Sequence, residues 1–224
     1  IVIPGILFRR FFFYGEFSKQ FNTNDPVLHS IFFSIIPGIV IQVLAFVGAP
    51  AAGKTEAATI AAELGIPVVT MGDEVRKELK KRGLPQNDTN TGRVATELRA
   101  IEGLDAIAKR CVPRINAIAT EVVLVDGIRG IAEVETFKKE FGDEFLLVNI
   151  EAPLEVRYER IKSRGRDDDL LSLEEFKKRE AREKGWGMGD AMKIAARIIK
   201  NENTIEEFKE ELKEFLQQYK HTQK

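Results

Sequence analysis

From residue 42 onward, short apolar runs without helical spacing alternate with amphipathic segments of period 3.6. Gln42–Val47 is the first apolar run and reads as a buried strand. An Ala-rich helix is expected over Glu56–Leu64, a second strand over Pro67–Thr70 and a second helix over Asp73–Lys81. Residues 83–92, rich in Gly, Pro, Asn and Thr, predict a loop. Two helices follow at about 92–102 and 104–119, then strand Val122–Asp126, helix Ile131–Phe141, strand Phe145–Ile150 and helix Leu154–Ser163. Ser172-Leu173-Glu174-Glu175 is a capping box that opens a charged helix running to about Lys184. Ala196–Ile199 predicts the last strand. Thr204 caps a final helix with Ile205, Phe208, Leu212, Phe215 and Leu216 on one face. Strands alternating with helices predict an α/β fold in three layers, a five-stranded parallel sheet covered on both sides.

The first 40 residues break this pattern. They hold 5 charged side chains against 64 in the other 184, and 8 of the 15 phenylalanines. Ile31–Val47 is mostly apolar, as a membrane anchor would be. Ser34, Pro37, Gly38 and Gln42 interrupt it, and it is shorter than the roughly 20 residues a spanning helix needs. A signal peptide fits poorly, because Phe32–Ile41 comes late and no small-residue cleavage site precedes the next element. The expected reading of 1–40 is a poorly ordered, Phe-rich extension or a misassigned start, since the chain opens on Ile1. Membrane or partner contact through it is the alternative. Residues 41–222 form the expected domain.

Composition narrows the chemistry. One cysteine excludes an internal disulfide framework and a Cys-cluster zinc site, and Cys111 reads as a small core residue. The two histidines, His29 and His221, lie near opposite ends, which argues against a His-based triad or a multi-His metal centre. A net charge of -1 leaves no global basic field and no strong nucleic-acid signal, so any anion site must be built locally. The balance is that of an ordinary soluble protein of the cytoplasm.

Such a local site is written directly after the first strand. Gly48-Ala49-Pro50-Ala51-Ala52-Gly53-Lys54-Thr55 is G-x-x-x-x-G-K-[ST] between a strand and a helix, the P-loop pattern. Its backbone N–H groups and the helix N-terminus cradle phosphates, its lysine reaches the β- and γ-phosphates, and its hydroxyl suits Mg²⁺. Asp126, ending a hydrophobic strand, is the partner expected beside the metal. Gly72, Asp73 and Arg76 at one strand-to-helix turn, and Gly127 and Arg129 at another, suit the phosphate of a second substrate. Arg157, Arg160, Arg164 and Arg166, with Gly165 as a hinge, suggest a short lid over the transferring phosphoryl group, with Arg179 and Arg182 assisting. The alternative is a solvated helix whose arginines pair with Glu155, Glu159 and Asp167–Asp169. The stretch around Trp186 reads as a turn with a core anchor, or as packing near a base or a pantetheine-like group.

These motifs resemble the nucleoside monophosphate kinase branch of P-loop proteins. Thr70-Met71-Gly72-Asp73-Glu74-Val75-Arg76 is similar to the Thr-Gly-Asp-x-x-Arg acceptor motif of adenylate kinases, with Met71 inserted. Asp126-Gly127-Ile128-Arg129 resembles their Asp-Gly-Phe-Pro-Arg without the proline. Residues 41–220 look like archaeal proteins described as adenylate-kinase-related or dephospho-coenzyme-A-kinase-related, and 196–204 resembles the closing strand–loop–helix of dephospho-coenzyme-A kinases.

The resemblance implies a helical acceptor-binding insertion and a short lid. It implies ATP with Mg²⁺ as cofactors, ATP bound at Gly48–Thr55, and metal contacts from Thr55 and Asp126. It also implies a small phosphate-bearing acceptor near Arg76 and Arg129, and catalysis by Lys54, Arg129, Arg160, Arg164 and Arg166. The expected activity moves the γ-phosphoryl group to that acceptor, a nucleoside monophosphate before dephospho-coenzyme A. An ATP-binding assembly factor is the reading from another class. Pocket shape, not motif, chooses the acceptor, and the oligomeric state is likewise not written in the motifs.

Overall fold

The computed structural model describes residues 41–164 and 172–220, Arg164 by its backbone alone. The expectations for residues 1–40, for the Arg164 side chain and for Gly165 and Arg166 lie outside the described residues. The strands β1 (Gln42–Val47), β2 (Val68–Thr70), β3 (Val122–Asp126), β4 (Phe145–Glu151) and β5 (Arg197–Lys200) form one sheet in the order β2-β3-β1-β4-β5. Every pairing is parallel. Each crossover therefore returns over a face of the sheet, and the helices cover both faces.

The continuous apolar run of β1 is explained by its central place. Val43, Ala45 and Val47 point into one core with Val123, Val125, Val134 and Phe137, while Leu44 and Phe46 point into another with Leu124, Ile150, Phe208 and Leu212. Helices α1 (Lys54–Glu63) and α9 (Ile205–Lys220) close the second core. The first is closed by α2 (Gly72–Lys81), α3 (Asp88–Glu102), α4 (Ala106–Asn116) and α5 (Ile131–Phe141). Among the described residues no helix is long and apolar enough to cross a membrane.

Two boundaries differ from the sequence reading. The 83–92 loop is cut short because Asn87 caps α3 early, its Oδ1 accepting the Asn90 N–H at 2.8 Å. Beyond α6 (Leu154–Arg164) and α7 (Leu173–Gly185), Met188–Lys193 forms a short helix, α8, where only a turn is legible in a glycine-broken stretch. The capping box at Ser172 is present with both of its reciprocal bonds. Thr204 caps α9 through its Oγ1 and the Glu207 N–H, 3.2 Å apart.

Candidate phosphate and acceptor site

The parallel sheet brings the ends of β1 and β3 to one edge, with Phe46 in register with Asp126. The phosphate loop begins two residues after Phe46. It is braced from two sides. Asn201, at the end of β5, donates from Nδ2 to the Ala52 carbonyl at 2.9 Å and accepts at Oδ1 from Arg160 Nη2 at 2.7 Å. Arg157 donates from Nη1 to the Pro50 carbonyl at 3.2 Å and from Nε to the Ala152 carbonyl at 3.0 Å. Gly53 enters α1 with φ 115°, and a Cβ there would lie 2.3 Å from Asn201 Nδ2, so a side chain at this position would be strained and would displace Asn201. Ala51 adopts φ 61°, the left-handed region that costs an L-residue about 1–2 kcal/mol.

Lys54 is buried, and its Nζ donates to the carbonyls of Gly48 at 2.6 Å and Ala49 at 2.9 Å. Burial, with the Arg129 and Arg179 charges, lowers its pKa to about 7, although Glu183 and Asp126 act the other way. Asp126 Oδ1 is buried and has no hydrogen-bond partner among the described residues. A hard, acceptor-only oxygen left without a proton donor, in a cleft that Thr55 also lines, fits a magnesium ligand or its water shell.

Beside this edge opens a cleft of about 1040 Å³. Thr55, Asp126, Gly72, Gly127 and the arginines Arg76, Arg99, Arg129, Arg179 and Arg182 line it. The sequence-predicted Arg76 and Arg129 are thus brought together in one cavity. Asp73 is not part of its wall: its carboxylate holds Arg76 and lies 3.6 Å from Arg114. Arg157 and Arg160 sit behind the phosphate loop, bonded as described above, and not in the cleft wall. The buried Cys111 has its thiol pushed up to about 12 by desolvation, as suits an inert core residue.

Several of the cleft's most organised residues are not evident from sequence. Glu183, 3% exposed, meets Arg129 Nη1 at 2.6 Å and Arg179 Nε at 3.5 Å. Burial pushes its carboxyl upward, but Arg129, Arg179 and Lys54 outweigh this and hold it below the usual range. Glu133 is fully buried; it accepts from Arg99 Nη2 and from the Arg129 backbone N–H, each at 2.7 Å. Arg99 also lies 4.3 Å from the centre of the Trp186 ring. The Trp186 carbonyl fills the space beside Gly130, where a Cβ would approach it to 2.2 Å.

Each cleft arginine is matched by a carboxylate: Arg76 by Asp73, Arg99 by Glu133, Arg129 by Glu183, and both Arg179 and Arg182 by Asp88. The cleft therefore concentrates guanidinium groups while most of their charge is offset locally.

The AAA domain family matches residues 47–177. A UPF0200 protein of Methanosarcina barkeri is 51% identical over 178 residues, which span 80% of this chain and 96% of that protein. Among solved structures, the fold is shared with a dephospho-CoA kinase from Campylobacter jejuni, 18% identical over 80% of this chain and 96% of that one, TM-score 0.51. It is also shared with a shikimate kinase from Acinetobacter baumannii in complex with shikimate, 17% identical over 82% and 96% of the two chains, TM-score 0.50. The fold is that of P-loop kinases.

Proposed function

The chain belongs to the UPF0200 family, and we propose that it is a phosphotransferase that moves the γ-phosphoryl group of ATP to a small phosphate-bearing acceptor, a nucleoside monophosphate. One observation carries this reading: Arg76, Arg99, Arg129, Arg179 and Arg182 line a single cleft that reaches Thr55 of the phosphate loop and Asp126. A hydrolase acting on ATP alone has no use for an arginine-lined chamber beside its phosphate loop, whereas an acceptor that carries its own phosphate does.

In the reaction an acceptor oxygen forms a bond to the γ-phosphorus as the bond to the β–γ bridging oxygen breaks, and ADP leaves with that electron pair. Lys54, on the loop, neutralises charge on the donor phosphates. Arg129 and Arg179 reach the same edge from two other elements and neutralise charge on the group in flight. Thr55 and Asp126 would hold Mg²⁺, which supplies charge neutralisation at the β- and γ-oxygens when bound. Arg76, on α2, binds the acceptor's phosphate.

The test is acceptor-stimulated ADP release with a panel of nucleoside monophosphates and dephospho-coenzyme A. A nucleoside monophosphate is expected to stimulate release and to appear phosphorylated. Stimulation by dephospho-coenzyme A alone would replace the acceptor. Slow hydrolysis that no small acceptor stimulates, but that a macromolecular partner accelerates, would replace the transferase by an assembly ATPase.

A further inference from the structure

Glu183 has no place in the phosphate loop or in either acceptor motif, yet it is among the most buried charges of the molecule, at 3% exposure. It sits on α7, and its two oxygens are divided between guanidinium groups of different elements. Oε2 takes Arg129 from the loop after β3 at 2.6 Å, and Oε1 takes Arg179 from its own helix at 3.5 Å. The same carboxylate faces Lys54 electrostatically. For stability alone, a buried ion pair is no better than an apolar pair of the same volume.

We infer that Glu183 is a positioning residue: resting on the phosphotransferase reading, it sets Arg129 and Arg179 at the spacing needed to bracket the phosphoryl group as it passes from ATP to the acceptor. Three cations, Lys54, Arg129 and Arg179, converge on this edge and repel one another. One carboxylate between two of them holds both guanidinium groups in the cleft wall before substrate arrives, so that less of their ordering is left to the transfer step. Arg129 is fixed twice, at its backbone by Glu133 and at its guanidinium by Glu183. Arg179 is fixed between Glu183 and Asp88, the latter 3.7 Å away on α3. Glu183 thereby ties the helix bearing Arg179 and Arg182 to the loop bearing Arg129.

The experiment compares Glu183→Gln and Glu183→Asp with the full-length wild type and places Glu183→Gln in a double-mutant cycle with Arg129→Ala. Glu183→Gln is expected to lower kcat for acceptor phosphorylation about 30-fold while changing KM for ATP less than threefold. Glu183→Asp, which keeps the charge, should recover part of kcat. The double variant should lose less than the product of the two single losses, because Glu183 acts in part through that arginine and in part through Arg179. Unchanged kcat in Glu183→Gln with a lowered unfolding temperature would reduce the residue to a structural ion pair and overturn the inference. Losses that multiply in the double variant would overturn it equally. A wild type that phosphorylates no acceptor would remove the transferase reading by itself. The same cycle is then read on Mg-ATP hydrolysis, where a non-additive loss keeps the positioning role and an additive loss, or none, removes it.

Discussion

Glu133 accepts the backbone N–H of Arg129 at 2.7 Å while its other oxygen takes the Arg99 guanidinium at the same distance. An arginine of the cleft wall is thus held from a fully buried carboxylate on α5. Burial raises the pKa of that carboxyl even though Arg99 and the Arg129 N–H oppose the shift. Glu133→Ala strands Arg99 in the interior and frees the Arg129 loop. It should destabilise the fold by about 3–5 kcal/mol, measured by urea unfolding. Glu133→Gln, whose single amide oxygen can still accept one of the two bonds, should cost less; equal losses would show that the retained bond does not matter.

Lys54 should be needed for turnover and unfavourable for stability in the nucleotide-free protein. Its pKa is about 7 when folded, against 10.5 as the unperturbed value. Below pH 7 the folded state carries the full penalty of a buried ammonium. As pH rises from 7 toward 10.5 the folded protein releases this proton before the unfolded chain does, and the penalty fades. Lys54→Met should therefore abolish ATP-dependent turnover and unfold at a higher temperature than wild type, with the gap widest below pH 7. Thermal scans across pH check the sign; a gap that widened with pH would contradict it.

Ala51 is, among the described residues, the non-glycine in the left-handed region, at φ 61°. A glycine fits that backbone without strain but loses more entropy on folding, so the two effects partly cancel. Ala51→Gly should stabilise the protein by about 0.5–1 kcal/mol, read as a rise in the urea midpoint at constant m. A lowered midpoint would show that the conformation carries no strain.

Asn201 is the residue by which the last strand braces the phosphate loop. Asn201→Ala removes its bonds to Ala52 and Arg160 and leaves the Gly53 entry to α1 unsupported. ATP affinity should fall about tenfold, with a stability loss of about 1–3 kcal/mol. Calorimetric titration with ATP would show it, and wild-type affinity in the variant would dissociate the brace from binding.

The phosphate loop was open to reading because eight consecutive residues, with a strand before and a helix after, carry the whole signal. Asp126 was open for a similar reason, since an apolar strand that ends in an acid places itself once the sheet is parallel. Glu183 was not. In Arg179-Glu180-Ala181-Arg182-Glu183-Lys184 the pairs Arg179/Glu183 and Glu180/Lys184 stand four positions apart, which is how a solvated helix face looks. Only the fold reveals that Glu183 turns inward to Arg129, 54 residues earlier in the chain. Arg99 and Glu133, 34 residues apart, are hidden in the same way. Arg157 is hidden in another way: its spacing with Arg160 and Arg164 is local, while its bond to Pro50 depends on a crossover that no local pattern encodes.

The brace between Asn201 and Ala52 spans 149 positions of sequence. During synthesis the phosphate loop leaves the ribosome well before the residue that steadies it. A nascent chain stopped short of β5 would display every residue of the loop and still lack its support. On the phosphotransferase reading, nucleotide affinity depends on β5 as well as on the loop, and fragments that stop before Asn201 would compete poorly for nucleotide.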